Sequence, residues 1–227
     1  MSRFWVAAIL IAGLVAVLAR PGRPQEARPV GVALVLLVDV SASIDDKRYE
    51  LQRDGIASAF LDRQVMRSIL SQPGSAIAVT LVMWSDSQQI MVPWSIIDSV
   101  DTAANFAAQV AVLQRPYAGT TGIGDAIKFG AALLVACPCQ TDKRVLDVSG
   151  DGKNNNGIEP GPATLAAAAN GIIVNGLPIL GGEDGLTEYY RNEVVGESGG
   201  FIVEAKGFDD FGRAIRAKLM REVAAAD

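Results

Sequence analysis

The chain has 227 residues, 50% of them hydrophobic and 6% aromatic, which suffices for one α/β domain with a sizeable core. Its formal net charge is −5 with no long basic run, which argues against a nucleic-acid partner. It has no histidine and two cysteines, so this chain alone cannot build a Ser-His-Asp or Cys-His catalytic site or a structural zinc site; a metal here is expected to be held by oxygen.

Met1-Ser2-Arg3 is short and positive, and residues 4–19 are apolar apart from Gly13. Val17-Leu18-Ala19 puts apolar or small residues at the −3 and −1 positions of a cleavage after Ala19. This is the layout of a signal peptide over residues 1–19. The apolar core falls short of the ~20 residues a spanning helix needs. The alternative is an uncleaved anchor, the one case in which a membrane is a partner. Residues 20–30, with Pro21, Pro24 and mixed charge, read as a linker. Residues 31–227 read as a single domain, periplasmic or secreted.

Residues 32–38 are seven apolar residues without a polar break, as in a strand buried on both faces of a parallel sheet. The run exits into Asp39, Ser41 and Ser43. Leu51, Ile56, Ala59, Phe60, Val65 and Ile69 have the spacing of one helix over 45–70, with Ser43 and Asp46 resembling a capping box and Pro73-Gly74 ending it. Strands are expected at 76–84 and 89–97, joined by a hairpin turn at Ser85-Asp86-Ser87. Pro93 demotes the second to an edge. A helix over about 102–113 precedes the loop YAGTTGIG (117–124), which leads into a helix from Asp125 to about Ala136. A buried strand over 144–148 exits into Ser149-Gly150-Asp151-Gly152 and a polar loop at 153–157. There follow a helix (162–169), a strand (171–180), a helix (187–195), a short strand (200–204) and a closing helix from 208 to about 225. This alternation predicts a doubly wound, mostly parallel sheet with helices on both faces and one antiparallel edge hairpin.

In such a sheet, ligands bind beyond the carboxyl ends of the strands. Asp39 and Asp151 stand at two of those ends, and the 119–124 loop offers Thr120 and Thr121 just before a helix. Two carboxylates and three or four hydroxyls, without nitrogen or sulfur, suit Mg²⁺ or Mn²⁺ better than zinc. Hydroxyls are neutral, so the cation stays electrophilic. Mg²⁺ takes about six ligands, which leaves room for water or an outside carboxylate.

The pattern resembles a von Willebrand factor A domain with its metal-ion-dependent adhesion site. The family's Asp-x-Ser-x-Ser motif matches Asp39, Ser41 and Ser43. Its threonine loop best matches Thr121 in GTTGIGDAI, with Thr120 as the other register, and its Asp-Gly motif matches Asp151. The Ser149-Gly150 pair ahead of Asp151 departs from the family, which more often has a threonine there. RVLDVSGDGKNN and FGRAIRAKLMREV are similar to a group of secreted bacterial proteins in the same superfamily. The resemblance implies direct coordination by the serines and threonine, aspartates often acting through water, and an Asp or Glu of a protein partner at the open position. It implies a binding module rather than an enzyme. The alternatives are a metal-dependent hydrolase or phosphotransferase, with Asp86, Asp125 or Glu159 as base, and a structural domain without metal.

Several look-alikes fail. DGKNNNGIE lacks the glycine and glutamate positions of an EF-hand loop. The 119–124 loop lacks the Gly-Lys-Ser/Thr of a P-loop, and its GxG does not follow the first strand. Cys137-Pro138-Cys139 leaves three readings open: a bridge strained by the short spacing, two free thiols, or a helix-end turn without chemistry.

Overall fold

The computed structural model describes residues 27–224. The expected signal peptide lies outside them. No helix among the described residues is long and apolar enough to cross a membrane.

The elements run in the order β1 (Arg28–Pro29), β2 (Val32–Asp39), α1 (Asp46–Phe60), α2 (Arg63–Leu70), β3 (Ile77–Trp84), β4 (Gln88–Ile97), α3 (Val100–Ala111), α4 (Ile123–Val135), β5 (Cys139–Gln140), β6 (Arg144–Gly150), α5 (Pro160–Ala168), β7 (Ile172–Pro178), α6 (Leu186–Tyr189) and α7 (Phe211–Glu222). The main sheet has the order β4-β3-β2-β6-β7, parallel except for β4 at one edge. This is the doubly wound sheet with one antiparallel edge hairpin that the sequence predicts.

β2 is central, and every residue of it is buried. Val32, Leu34, Leu36 and Val38 face a core shared with α1, α2, α3 and α7, while Ala33, Val35 and Leu37 face a second core shared with α4, α5 and α6. Two apolar layers, one on each face, explain why the strand shows no polar alternation. On the first face α1 and α7 approach closely at Gly55, where an added Cβ would lie 2.9 Å from Phe211 and 3.1 Å from the Gly212 backbone.

Several expectations need correction. The single helix over 45–70 is two helices, because the Asp62 carboxylate accepts the amides of Gln64 and Val65 (2.8 and 3.1 Å) and starts a new helix. The cap of α1 is Asp45, bonded to the Arg48 amide at 2.8 Å, and not Ser43. In β4, Pro93 and Trp94 stand opposite Thr80 alone, a bulge that absorbs the missing proline N–H. The helix expected over 187–195 is one α-turn followed by a π-helical turn, Tyr190–Val195. The strand expected over 200–204 is reduced to isolated bridges, because the Asn175 side chain takes the Phe201 amide at 3.0 Å. The stretch read as linker reaches the folded body at its end. Arg28–Pro29 pairs with Cys139–Gln140, and Val30 is buried. Cys137 and Cys139 form a disulfide beside that pair.

Candidate metal centre

β2 and β6 are hydrogen-bonded neighbours running in the same direction, so their carboxyl ends deliver Asp39 and Asp151 to one edge. Beyond β2 the chain turns on Asp39, whose Oδ1 accepts the Ser41 amide at 2.7 Å. The turn aligns the two serine hydroxyls, 3.2 Å apart. Ser43 Oγ then donates to Asp151 Oδ1 at 2.6 Å. Asp39, Ser41, Ser43 and Asp151 therefore form one connected polar edge drawn from chain segments more than a hundred residues apart.

Thr121 is buried, and its hydroxyl lies 3.9 Å from a Cβ built on Gly152, next to Asp151. Thr120 is exposed. The threonine loop is fixed by the polar loop that follows β6. The Asn155 side chain accepts the Thr121 amide at 2.8 Å, and the Thr121 carbonyl accepts the Asn155 and Asn156 amides. The Asn154 side chain accepts the Ile123 amide at 2.8 Å, at the start of α4. The stretch DGKNNNGIE, discarded as a calcium loop, serves as the clamp on the threonine loop.

Arg115 belongs to no motif in the sequence, yet its guanidinium donates to the carbonyls of Val40 and Ser41 at 2.9 and 2.7 Å and pins the serine turn from behind. Arg48 donates to the Ser43 carbonyl at 2.7 Å and stands 3.6 Å from Asp151 Oδ2. Nothing in the spacing of either arginine revealed its target.

Asp39 is fully buried, and burial, reinforced by the Asp151 charge, raises its pKa to about 7 against the opposing Ser41 hydrogen bonds. Its Oδ2 has no hydrogen-bond partner among the described residues, and neither does the buried Tyr190 hydroxyl. Both atoms lie within 2.8 Å of a Cβ built on Gly150. This accounts for the departure ahead of Asp151: a threonine at position 150 would collide with the carboxylate and the phenol. A buried carboxylate oxygen without a donor, beside aligned hydroxyls, fits a hard cation. Among the described residues no group of three or more Asp, Glu or Cys side chains forms a cage, so cation binding here would depend on the hydroxyls.

The mostly parallel sheet covered by helices on both faces, with an Asp-Val-Ser-Ala-Ser turn after its central strand, is a von Willebrand A-like fold. Within that class the chain belongs to the family described as "Protein of unknown function (DUF1194)", whose model matches residues 29–227. No curated protein matches. Among solved structures, the chain is similar to proximal thread matrix protein 1 of the mussel byssus with a zinc-occupied MIDAS motif, at 16% identity and TM-score 0.66, over 87% of this chain and 49% of that one. It is similar to a von Willebrand factor type A protein of Catenulispora acidiphila at 12% identity and TM-score 0.61, over 86% and 43%. It is also similar to the pilus adhesin SpaC of Lactobacillus rhamnosus GG at 15% identity and TM-score 0.62, over 88% and 31%. At these identities the likeness is one of fold. The chain spans about half the length of the mussel protein.

Proposed function

We propose that this domain is a protein-binding module working outside the cytoplasm, which holds Mg²⁺ or Mn²⁺ with Asp39, Ser41, Ser43, Thr121 and Asp151 and captures an Asp or Glu of a protein partner. The observation that carries the reading is the Ser41–Ser43–Asp151 chain of contacts beside the unpartnered oxygen of buried Asp39. The burial of Thr121 and exposure of Thr120 favour Thr121 as the ligand. A bound cation would supply an unfilled coordination position for an outside carboxylate. The zinc-occupied motif of the mussel protein supports a divalent metal, and the matrix protein and pilus adhesin support an extracytoplasmic binding role.

The hydrolase reading needs a base. Asp125 accepts the Ile158 amide at 3.3 Å and Asp86 accepts the Ser85 hydroxyl at 2.9 Å, so both are engaged in loop structure, and Glu159 is exposed at the start of α5. The test is calorimetric Mg²⁺ titration of the wild type and of the Ser41→Ala, Ser43→Ala double variant, with circular dichroism as the fold control. Loss of binding with the fold retained is expected. Unchanged affinity refutes the ligand set. Capture from the native envelope with Mg²⁺ against EDTA then selects metal-dependent partners.

A further inference from the structure

Away from the metal centre, on the face of the sheet covered by α7, three ionisable side chains are sealed from water. Lys218 of α7 is 0% exposed, Glu222 one turn on is 1%, and Asp147 of β6 is 2%. Lys218 Nζ lies 2.7 Å from Asp147 Oδ1 and 2.6 Å from Glu222 Oε1. Asn175 of β7, beside Asp147 in the sheet register, donates to Glu222 Oε1 at 2.9 Å. The Phe201 ring centre lies 5.8 Å from Lys218 Nζ and 3.8 Å from the Arg221 guanidinium. Asp147 Oδ2 and Glu222 Oε2 have no partner among the described residues.

As a plain ion network this is a poor arrangement. Two carboxylates share one ammonium, and burying charges is costly unless every lone pair is satisfied. We propose that Lys218 and Asp147 are the reactants of a self-catalysed intramolecular amide cross-link between α7 and β6, with Glu222 as the proton shuttle. Glu222 has the required state: burial and the neighbouring Asp147 charge raise its pKa, which favours the protonated acid.

The step balances without a co-reactant. Glu222 gives a proton to the Asp147 carboxylate and takes one from the Lys218 ammonium, leaving a neutral amine against a neutral acid. The Nζ lone pair attacks Cγ of Asp147 and the C–N bond forms. The Cγ–OH bond breaks as Glu222 protonates the leaving hydroxyl and accepts the surplus proton from nitrogen. One water leaves, and Glu222 returns to its starting state. Fixed proximity in a dry site is the source of the rate, because both groups are already held in contact.

The test is the intact mass of the purified, denatured full chain, followed by peptide mapping. The expected result is a wild-type mass lower by one water, with a branched peptide joining the segments around Asp147 and Lys218. Glu222→Gln keeps the shape of the shuttle and is expected to have the full mass, as is Lys218→Met. A wild type at full mass after prolonged incubation overturns the proposal and leaves an ion network. A water loss that persists in Lys218→Met belongs to a succinimide at Asp54-Gly55, Asp151-Gly152 or Asp184-Gly185 and also overturns it. If Lys218→Met fails to fold, the Glu222→Gln mass and the branched peptide decide.

Discussion

Replacing Asp39 by Asn should stabilise the metal-free protein at pH 8 while removing its response to metal. In the folded chain the Asp39 pKa is raised from 3.8 to about 7 by complete burial. The folded state therefore holds this proton more tightly than the unfolded state. Its stabilising contribution is full below the unfolded pKa and is lost as pH rises to about 7, beyond which the loss is constant. A shift of about three units at 1.36 kcal/mol per unit sets the loss at about 4 kcal/mol, an upper figure. Asn cannot ionise, so it escapes this penalty, and its Oδ1 can still accept the Ser41 amide that Asp39 accepts at 2.7 Å. Urea unfolding in EDTA is the assay. Asp39→Asn should exceed the wild type by about 2–4 kcal/mol at pH 8, with the two converging near pH 4. Titrating groups that do not interact with Asp39, Glu222 among them, are common to both proteins and cancel in the difference. Saturating Mg²⁺ should raise the wild type and leave the variant unmoved. A variant less stable than the wild type at pH 8 in EDTA, or a difference independent of pH, would show that burial does not raise the Asp39 pKa in the folded chain.

Three further perturbations follow from the same geometry. Gly150→Ala forces a methyl to within 2.7 Å of the Tyr190 hydroxyl and 2.8 Å of Asp39 Oδ2, and should cost about 1–3 kcal/mol in urea unfolding as well as weaken Mg²⁺ binding. Asn155→Ala removes the 2.8 Å restraint on the Thr121 amide and should lower Mg²⁺ affinity about tenfold by calorimetry, with the circular dichroism spectrum unchanged. Asp62→Ala removes the cap that separates α2 from α1 and should cost about 1 kcal/mol in chemical denaturation without touching metal affinity.

The layers of this fold are legible because their signals are local. The unbroken apolar run of β2 reports two buried faces, and Pro93 marks the edge strand through its missing donor. The carboxylates at the ends of β2 and β6 were legible because strand order places them. The break at Leu61-Asp62 was hidden because the apolar spacing continues across it in near register, and the decisive cap is one carboxylate among many. Ser43 resembled a cap because local spacing could not show Asp151, 108 residues away, as its competing partner. Arg115, Asn154 and Asn155 act through backbone groups of other loops, a role that imposes no spacing of its own. Asp147 did leave a trace. A carboxylate inside RVLDV, a strand buried on both faces, demands a partner, but only the packing of α7 identifies Lys218.

We propose that hydroxyls from separate loops hold one divalent ion at the edge of the sheet. Crystals of the protein grown with Mn²⁺ and measured at the manganese absorption edge test it most directly. One anomalous peak is expected within metal–oxygen bonding distance of the hydroxyls of Ser41, Ser43 and Thr121, close to Asp39 and Asp151. Millimolar Mn²⁺ that leaves this position without a peak, or a peak out of reach of both serines, would contradict it.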